Sequence, residues 1–362
     1  MTNIESPFKV LITGGAGYIG SRLAATLIER HPSWQISILD LVLPIGRTLH
    51  EKLHHIFQAD VTSTESVSHV FVDYCPDLII HSAGIVPSRK KRYSTDPKDW
   101  NLVKAVNYDG TRHIVDAALQ AGCKKLVFTS SCTVTVDDLD HDYFFMNETV
   151  PLGYAHLHYG KSKTMAEEYV LSPEVAERGL IACALRPCTI IGEGDRAVIS
   201  VFYDLIAKGE TNFIVGDGNN LYDFMYIDNA VMAHVLAAEN LLTTQTAAGQ
   251  AFFISNEEPV YFWDFLAYVW AQFDHHPSFR VKIPTNLAWA AGWMLEWWTW
   301  WTRTAPTLDR GSVKDGIRTQ YSDNQKARRI LGYKPVIGTA EAVRRTCEDY
   351  KIYLASQAKG KP

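Results

Sequence analysis

The sequence predicts an α/β protein, a doubly wound parallel sheet joined to a smaller cap. Three observations carry this expectation. Short runs rich in β-branched residues alternate with helical stretches from residue 8 to residue 186, the rhythm of parallel strands covered by helices on both faces. The first run opens straight into a glycine cluster and a helix. After about residue 187 the rhythm gives way to helical segments separated by loops that bear Gly and Pro, with no Pro-, Gly- or Ser-rich linker between the two parts.

Taken in order, residues 8–13 form a short apolar run bounded by glycines and read as a buried strand. Residues 18–30 have helical periodicity, and 35–40 make the second strand. Strands three to five are expected at 56–60, 78–80 and 125–129, with helices near 66–74 and 104–121, and 181–186 is the sixth. Helices at 198–208, 229–240 and 261–273 build the cap, packed against the sheet rather than standing apart. The division falls between residues 1–187, which suit a dinucleotide, and the mostly helical 188–362, which suit a substrate.

At 47% hydrophobic and 21% charged, the chain of 362 residues has the composition of a large globular core and not of a disordered protein. Its net charge of −5 asks for no nucleic acid and no anionic surface. The run Arg89–Lys90–Lys91–Arg92 reads as a solvated loop, with a ligand mouth or lipid headgroups as the alternatives. Six cysteines, at 75, 123, 132, 183, 188 and 347, have neither CxxC nor zinc spacing. They read as buried reduced thiols, and no metal site is expected. The start, MTNIESPFKV, is polar and then enters a strand, so no signal peptide and a cytoplasmic, reducing compartment are expected.

LITGGAGYIGSRL joins the first strand to the first helix. Gly15, Gly17 and Gly20 fit GxGxxG, and Gly14, Gly17 and Gly20 fit GxxGxxG, with Tyr18 and Ile19 carried on the same turn. Glycines permit the tight turn and let the backbone approach a pyrophosphate at the helix N-terminus. The expected fold is therefore Rossmann-type. Asp40 closes the second strand twenty residues after Gly20 and is followed by Leu41, Val42 and Leu43, with no Arg. A carboxylate there accepts from ribose hydroxyls and repels a 2′-phosphate, which favours NAD over NADP. Asp60, with Val61 beside it, either reaches the adenine or is a solvated turn residue.

The strand-end KKLVFTSS offers Ser130 and Ser131, and YGKSK at 159–163 follows about thirty residues later. It is the chain's one YxxxK. Ligands of such sheets sit at the carboxyl ends of strands, so Ser131 and Tyr159 should converge there. Helical spacing puts Lys163 on the face of Tyr159. A nearby ammonium and a cationic nicotinamide would lower the phenol from its ordinary value near ~10.

Together TGGAGYIG, the strand-end TSS, YxxxK and LRPxxIxGxGD at 185–195 resemble the extended short-chain dehydrogenase/reductase superfamily. Three stretches are similar to its 3β-hydroxysteroid dehydrogenase and sterol-4α-carboxylate 3-dehydrogenase (decarboxylating) family: NLYDFMYIDN at 220–229, ISNEEPVYFWDF at 254–265 and ARRILGYKP at 327–335. The resemblance implies Tyr159 as acid/base, Lys163 as its partner and a nicotinamide-ribose contact, and Ser131 as the third member, with Ser130 the alternative. It implies that Ser82 and Ala83 line the cofactor cleft after His81. Asn107 would steady the central helix and strand, and Pro187 and Ile190 would flank the nicotinamide. His156 and His158 read as surface residues.

The implied reaction is NAD-dependent oxidation of a 3β-hydroxyl on a sterol, steroid or triterpenoid. A C4 carboxylate would leave as carbon dioxide; a 5-ene steroid would instead invite a double-bond shift. The alternatives are a nucleotide-sugar epimerase or dehydratase, an NAD(P)-dependent reductase of another apolar carbonyl, and a non-catalytic dinucleotide sensor. Many nucleotide-sugar enzymes carry Arg before the Asp of an RDxxxV-like stretch. Tyr222 stands there here, which suits a flat apolar ligand and makes Tyr222 a substrate-side candidate beside Ser131.

Residues 286–304, NLAWAAGWMLEWWTWWTRT, hold six of the ten tryptophans. Trp289, Trp293, Trp297 and Trp301 recur every four residues, a slowly drifting stripe on a helix. The run is short of the roughly 20 apolar residues a span needs and contains Glu296. It is read as a monotopic insertion that collects a lipid substrate, as a cover over the substrate pocket, or as a dimer contact or plain core. The matching location is peripheral, on the cytosolic face of the endoplasmic reticulum, and a homodimer is the oligomer the resemblance implies.

Overall fold

The computed structural model describes residues 8–43, 47–302 and 309–359. Residues 1–7 of the polar start, the side chain of Trp300, and residues 303 and 304 of the Trp-rich segment lie outside the described residues.

Seven parallel strands form the main sheet: β1 (Lys9–Thr13), β2 (Gln35–Asp40), β3 (Ile56–Gln58), β4 (Leu78–His81), β5 (Lys125–Thr129), β6 (Ile181–Pro187) and β7 (Gln250–Ile254). Their order across the sheet is β7-β6-β5-β4-β1-β2-β3. The order reverses between β1 and β4, and the crevice outside that switch point is where such sheets bind ligands.

Side chains alternate between two cores. Val10 and Ile12 join Leu23 and Leu27 of α1 (Tyr18–Arg30) on one face. Leu11 and Ile79 join Val67 and Phe71 of α2 (Thr64–Asp73) and Ile114 and Ala118 of α3 (Gly110–Gln120) on the other. Gly20, Leu23, Ala24 and Leu27 are the buried stripe of α1, the period-3.6 pattern that made it readable. Each fully buried aliphatic side chain contributes ~1.5–3 kcal/mol.

Three placements differ from the sequence reading. Residues 250–254 supply the seventh strand, pairing with β6 from Gln250↔Cys183 to Ile254↔Pro187. The helix expected in the cap at 229–240 runs Ile227–Leu242 and packs on the sheet beside α1. A five-residue apolar strand cannot be told from a helix segment by periodicity, which is why QAFFI escaped notice. The stretch 104–121 is also not one regular helix: Pro97–Lys104 passes through a widened π-type turn at Ala105–Asp109 before α3. Such turns often mark functional sites.

The other strands form small sheets, one of which sets Leu221–Tyr222 beside Gln320–Ser322, itself paired with Tyr143–Met146. The catalytic-motif helix α4 spans His158–Val170, and α5 is Ile227–Leu242. The Trp-rich segment forms α6 (Thr285–Thr302), followed by α7 (Arg310–Ile317). Trp293, Trp297, Trp298 and Trp301 are more than half exposed, so α6 is not core. No helix among the described residues is long and apolar enough to cross a membrane. Five cysteines are buried as expected; Cys75 is exposed, in the turn after α2.

Candidate active site

The glycine loop is built without room for side chains. Gly14 adopts φ +69° and donates its N–H to the Leu39 carbonyl at 2.8 Å. A Cβ on Gly20 would stand 2.1 Å from the Gly14 carbonyl oxygen. Helix α1 starts at Tyr18 with no side-chain cap and no acidic residue in its first turn, so its free N–H groups and positive dipole end face the loop. That donor set fits a pyrophosphate.

Asp40 lies at the loop: Oδ2 accepts from Ala16 N–H at 2.9 Å and Oδ1 from Val42 N–H at 3.1 Å. Asp60 Oδ1 accepts from both N–H and Oγ1 of Thr62 at 2.8 Å, the turn role that was its alternative reading. The Val61 carbonyl accepts from His113 Nδ1 at 2.9 Å. Ser82 Oγ donates to the Thr13 carbonyl at 2.7 Å, joining the ends of β4 and β1, and Ala83 is buried next to Gly14.

His81 is fully buried, and its neighbours fix its tautomer. Thr111 Oγ1 donates to the Asn107 carbonyl at 2.7 Å, so it accepts from His81 Nε2–H at 2.9 Å. Nδ1 then accepts from Thr13 Oγ1 at 2.6 Å. Burial, aided by Lys163, pushes the imidazole down to about 3. Asn107, in the π-type turn, donates to the Ile85 carbonyl and to Ser162 Oγ, both at 3.0 Å, and accepts from Ile85 N–H at 2.8 Å. It thereby ties the loop after β4 to the helix that carries YGKSK.

The two strand-end serines part company. Ser130 Oγ donates to Glu167 Oε2 at 2.5 Å, and Glu167 is in turn clasped by Arg186, whose Nε donates at 3.0 Å. Ser131 Oγ instead accepts from Thr133 N–H at 3.3 Å and acts on the Tyr159 phenol. Lys163 lies one turn along α4, buried, and its Nζ donates to the Thr129 carbonyl at 2.9 Å. Burial brings the ammonium down to about 8, opposed by Glu167. From the protein's own groups alone, the Tyr159 phenol is raised above its ordinary value by burial, and the Ser131 hydroxyl offsets only part of that. The charge of Asp137 adds to the effect of burial, while Lys163 gives its ammonium to the Thr129 carbonyl.

A Cβ on Gly84 would come 3.1 Å from Lys163 Nζ and 3.2 Å from Asn107 Oδ1, so the backbone packs closely against the lysine there. Pro187 accepts from Cys132 N–H at 3.0 Å, and Ile190 pairs with Met225. Tyr222 lines a small cavity with Cys132 and Thr189, which brings it next to the neighbours of Ser131 and Ile190. His156 is exposed and His158 half-buried against Trp100.

Sequence reasoning missed an ion cluster at this site. Arg92 was read as part of a solvated run; Arg89 and Lys90 are exposed, but Arg92 pairs with Asp315 and Asp137 at 2.9 and 3.1 Å. No local pattern announces this, because the partners are distant in sequence. Glu167, by contrast, stands one helical turn after Lys163, and that spacing could have found it.

Glycine loop, switch point and strand order define a nicotinamide-dinucleotide enzyme of the extended short-chain class. The family model described as 3-beta hydroxysteroid dehydrogenase/isomerase matches residues 11–285, and the chain belongs to that family. It is an oxidoreductase acting on a CH–OH group.

Among similar proteins is the decarboxylating sterol-4-alpha-carboxylate 3-dehydrogenase of Schizosaccharomyces pombe, 32% identical over 345 residues, covering 94% of this chain and 97% of that one. The decarboxylating mouse enzyme of the same name is 27% identical, covering 97% and 93%. The 3 beta-hydroxysteroid dehydrogenase/Delta 5-->4-isomerase of Mycobacterium tuberculosis is 31% identical, covering 97% and 92%. Among solved structures, the UDP-glucose 4-epimerase of Thermus thermophilus in complex with NAD shares the fold, with TM-score 0.69, 23% identity and coverage of 95% and 99%.

Proposed function

We propose that the chain oxidises the 3β-hydroxyl of a sterol with NAD as cofactor, and that the substrate carries a 4α-carboxylate lost as carbon dioxide. The meeting of Ser131 and Tyr159 at the end of β5, with buried Lys163 one turn away, carries the reading. Residues 1–187 supply the cofactor half, and 188–362, apart from β7 and α5, the substrate cap.

Gly14, Gly15, Gly17, Tyr18, Ile19 and Gly20 would hold the pyrophosphate. Asp40 supports NAD, since its carboxylate lies at the loop and is followed directly by Leu41, Val42 and Leu43 rather than Arg. When bound, the oxidised nicotinamide supplies a hydride acceptor and a positive charge beside the phenol. The chain's own part is to hold the alcohol oxygen between Ser131 Oγ and Tyr159 Oη and to take its proton at Oη. The ketone so formed is β to the carboxylate. As the C4–carboxylate bond breaks, its electron pair moves into the ketone, and the proton held at Tyr159 returns to the sterol.

The exposed tryptophans of α6 support a monotopic contact with a bilayer interface, where such rings favour the boundary layer. A nucleotide-sugar reading rests on fold likeness alone, and Tyr222 replaces the cation its diphosphate would need.

NADH formation, followed by absorbance with a 3β-hydroxysterol bearing or lacking the 4α-carboxylate, tests the proposal. Turnover of the acid with release of carbon dioxide is expected. Turnover of neither sterol overturns the reading, and turnover of the plain alcohol alone removes the decarboxylating part.

A further inference from the structure

Beside Tyr159 stand four charged groups that the chemistry above leaves unused. Arg92 Nε donates to Asp315 Oδ2 at 2.9 Å, and its Nη2 donates to Asp137 Oδ1 at 3.1 Å. Arg318 holds the other Asp315 oxygen, with Nη2 at 2.7 Å, and gives Nη1 to the Val136 carbonyl. Asp137 accepts the N–H of Gly160 at 2.9 Å, which seats it against the first turn of α4, next to Tyr159.

The cations differ in access. Lys163 and the Arg318 side chain are each 4% exposed, whereas the Arg92 side chain is 26% exposed. A guanidinium has five N–H donors, and the two carboxylates take only part of that set. Arg92 and Arg318 hold Asp315 ionised, at about 2, while burial works against the charge of Asp137. Two guanidiniums thus face two carboxylates, and of the two only Arg92 keeps a partly exposed edge with N–H donors left for another anion.

Substrate geometry limits where that anion can lie. If a hydroxyl is held at Tyr159, a carboxylate on the adjacent carbon must lie beside the same phenol. Lys163 is turned to Thr129, and Arg318 is sealed. The positive charge of Arg92 lowers the phenols of both Tyr159 and Tyr222, so it acts on the base and on the proposed substrate wall alike.

We propose that Arg92 determines specificity by receiving a carboxylate carried on the carbon next to the oxidised hydroxyl, with Asp137 and Asp315 holding its guanidinium in place. This rests on the hydroxysterol reading above.

The test compares wild type, Arg92→Lys and Arg92→Gln on 3β-hydroxysterols with and without the 4α-carboxylate. Arg92→Gln should cut kcat/KM for the acid by roughly 30-fold more than for the plain alcohol, chiefly through KM, and Arg92→Lys should recover part of the difference. Equal losses on both sterols, or no loss on the acid, would overturn the assignment.

A second measurement needs no variant. With the plain alcohol as substrate, a 3-deoxy 4α-carboxysterol should inhibit wild type at least roughly tenfold more strongly than its methyl ester. Equal inhibition overturns the proposal even if the variants do not fold. Wild-type turnover of either sterol keeps the hydroxysterol reading separate from the fate of Arg92; turnover of neither removes both.

Discussion

Two ion clusters of opposite design lie near the catalytic motif, one behind Ser130 and one beside Tyr159. Behind Ser130, Glu167 and Arg186 are 1% and 5% exposed and close on one another. Beside Tyr159, Arg92 keeps a partly exposed edge and shares Asp315 with Arg318. A sealed pair can only position its neighbours, because nothing else can reach it. An open cluster can exchange partners with a ligand. Exposure of the cation separates the two, and buried pairs are weak evidence for stability in any case.

The sharpest way to break this comparison is at the phenol between the clusters. Tyr159→Phe should lower turnover by roughly a thousandfold while cofactor affinity stays within a few fold, measured by steady-state kinetics and cofactor titration. Retained turnover would remove the base. Glu167→Gln attacks the sealed side. It leaves Arg186 without its countercharge and should cost about 3 kcal/mol in denaturant unfolding, along with a further fall in the Lys163 pKa, since Glu167 is the group that raises it. A loss confined to activity would show that the sealed pair does more than position.

Acid should also find the sealed side. His81 and His234 are buried and neutral, with folded pKa values of about 3 and about 4, below the unfolded value near ~6.5. The unfolded chain therefore binds more protons below ~6.5, and stability falls as pH drops from there toward 4. Each imidazole contributes a slope approaching ~1.4 kcal/mol per pH unit. His234→Gln should flatten the profile, and an unchanged slope would place the acid sensitivity elsewhere. Smallest is the effect at Asp40. Asp40→Ala should relax NAD preference by roughly tenfold, and an unchanged preference would show the ribose contact was misread.

Local pattern governed how much could be read from the sequence. Helix α1 and strand β2 begin and end where periodicity and flanking glycines place them. The expected convergence of Ser131 and Tyr159 rests on one rule about strand ends. Arg92 was illegible because its environment is made by Asp315, 223 residues away. A run of four basic residues looks the same whether it meets water or carboxylates. The raised phenol escaped for a similar reason: the spacing put Lys163 on the correct face, but not where its ammonium would point.

The seventh strand bears on how the chain is made. A ribosome releases β6 long before β7, so the apolar edge of Ile181–Pro187 waits on the order of ten seconds for its partner at translation speeds of ~5–20 residues per second. Tyr143–Met146 waits longer still, for Gln320–Ser322. During that interval a nascent chain presents an unpaired strand to its surroundings. Ser131 and Tyr159 are thus translated early but gain their final surroundings late, and chaperone supply during synthesis should govern the yield of active enzyme more than the stability of the finished fold.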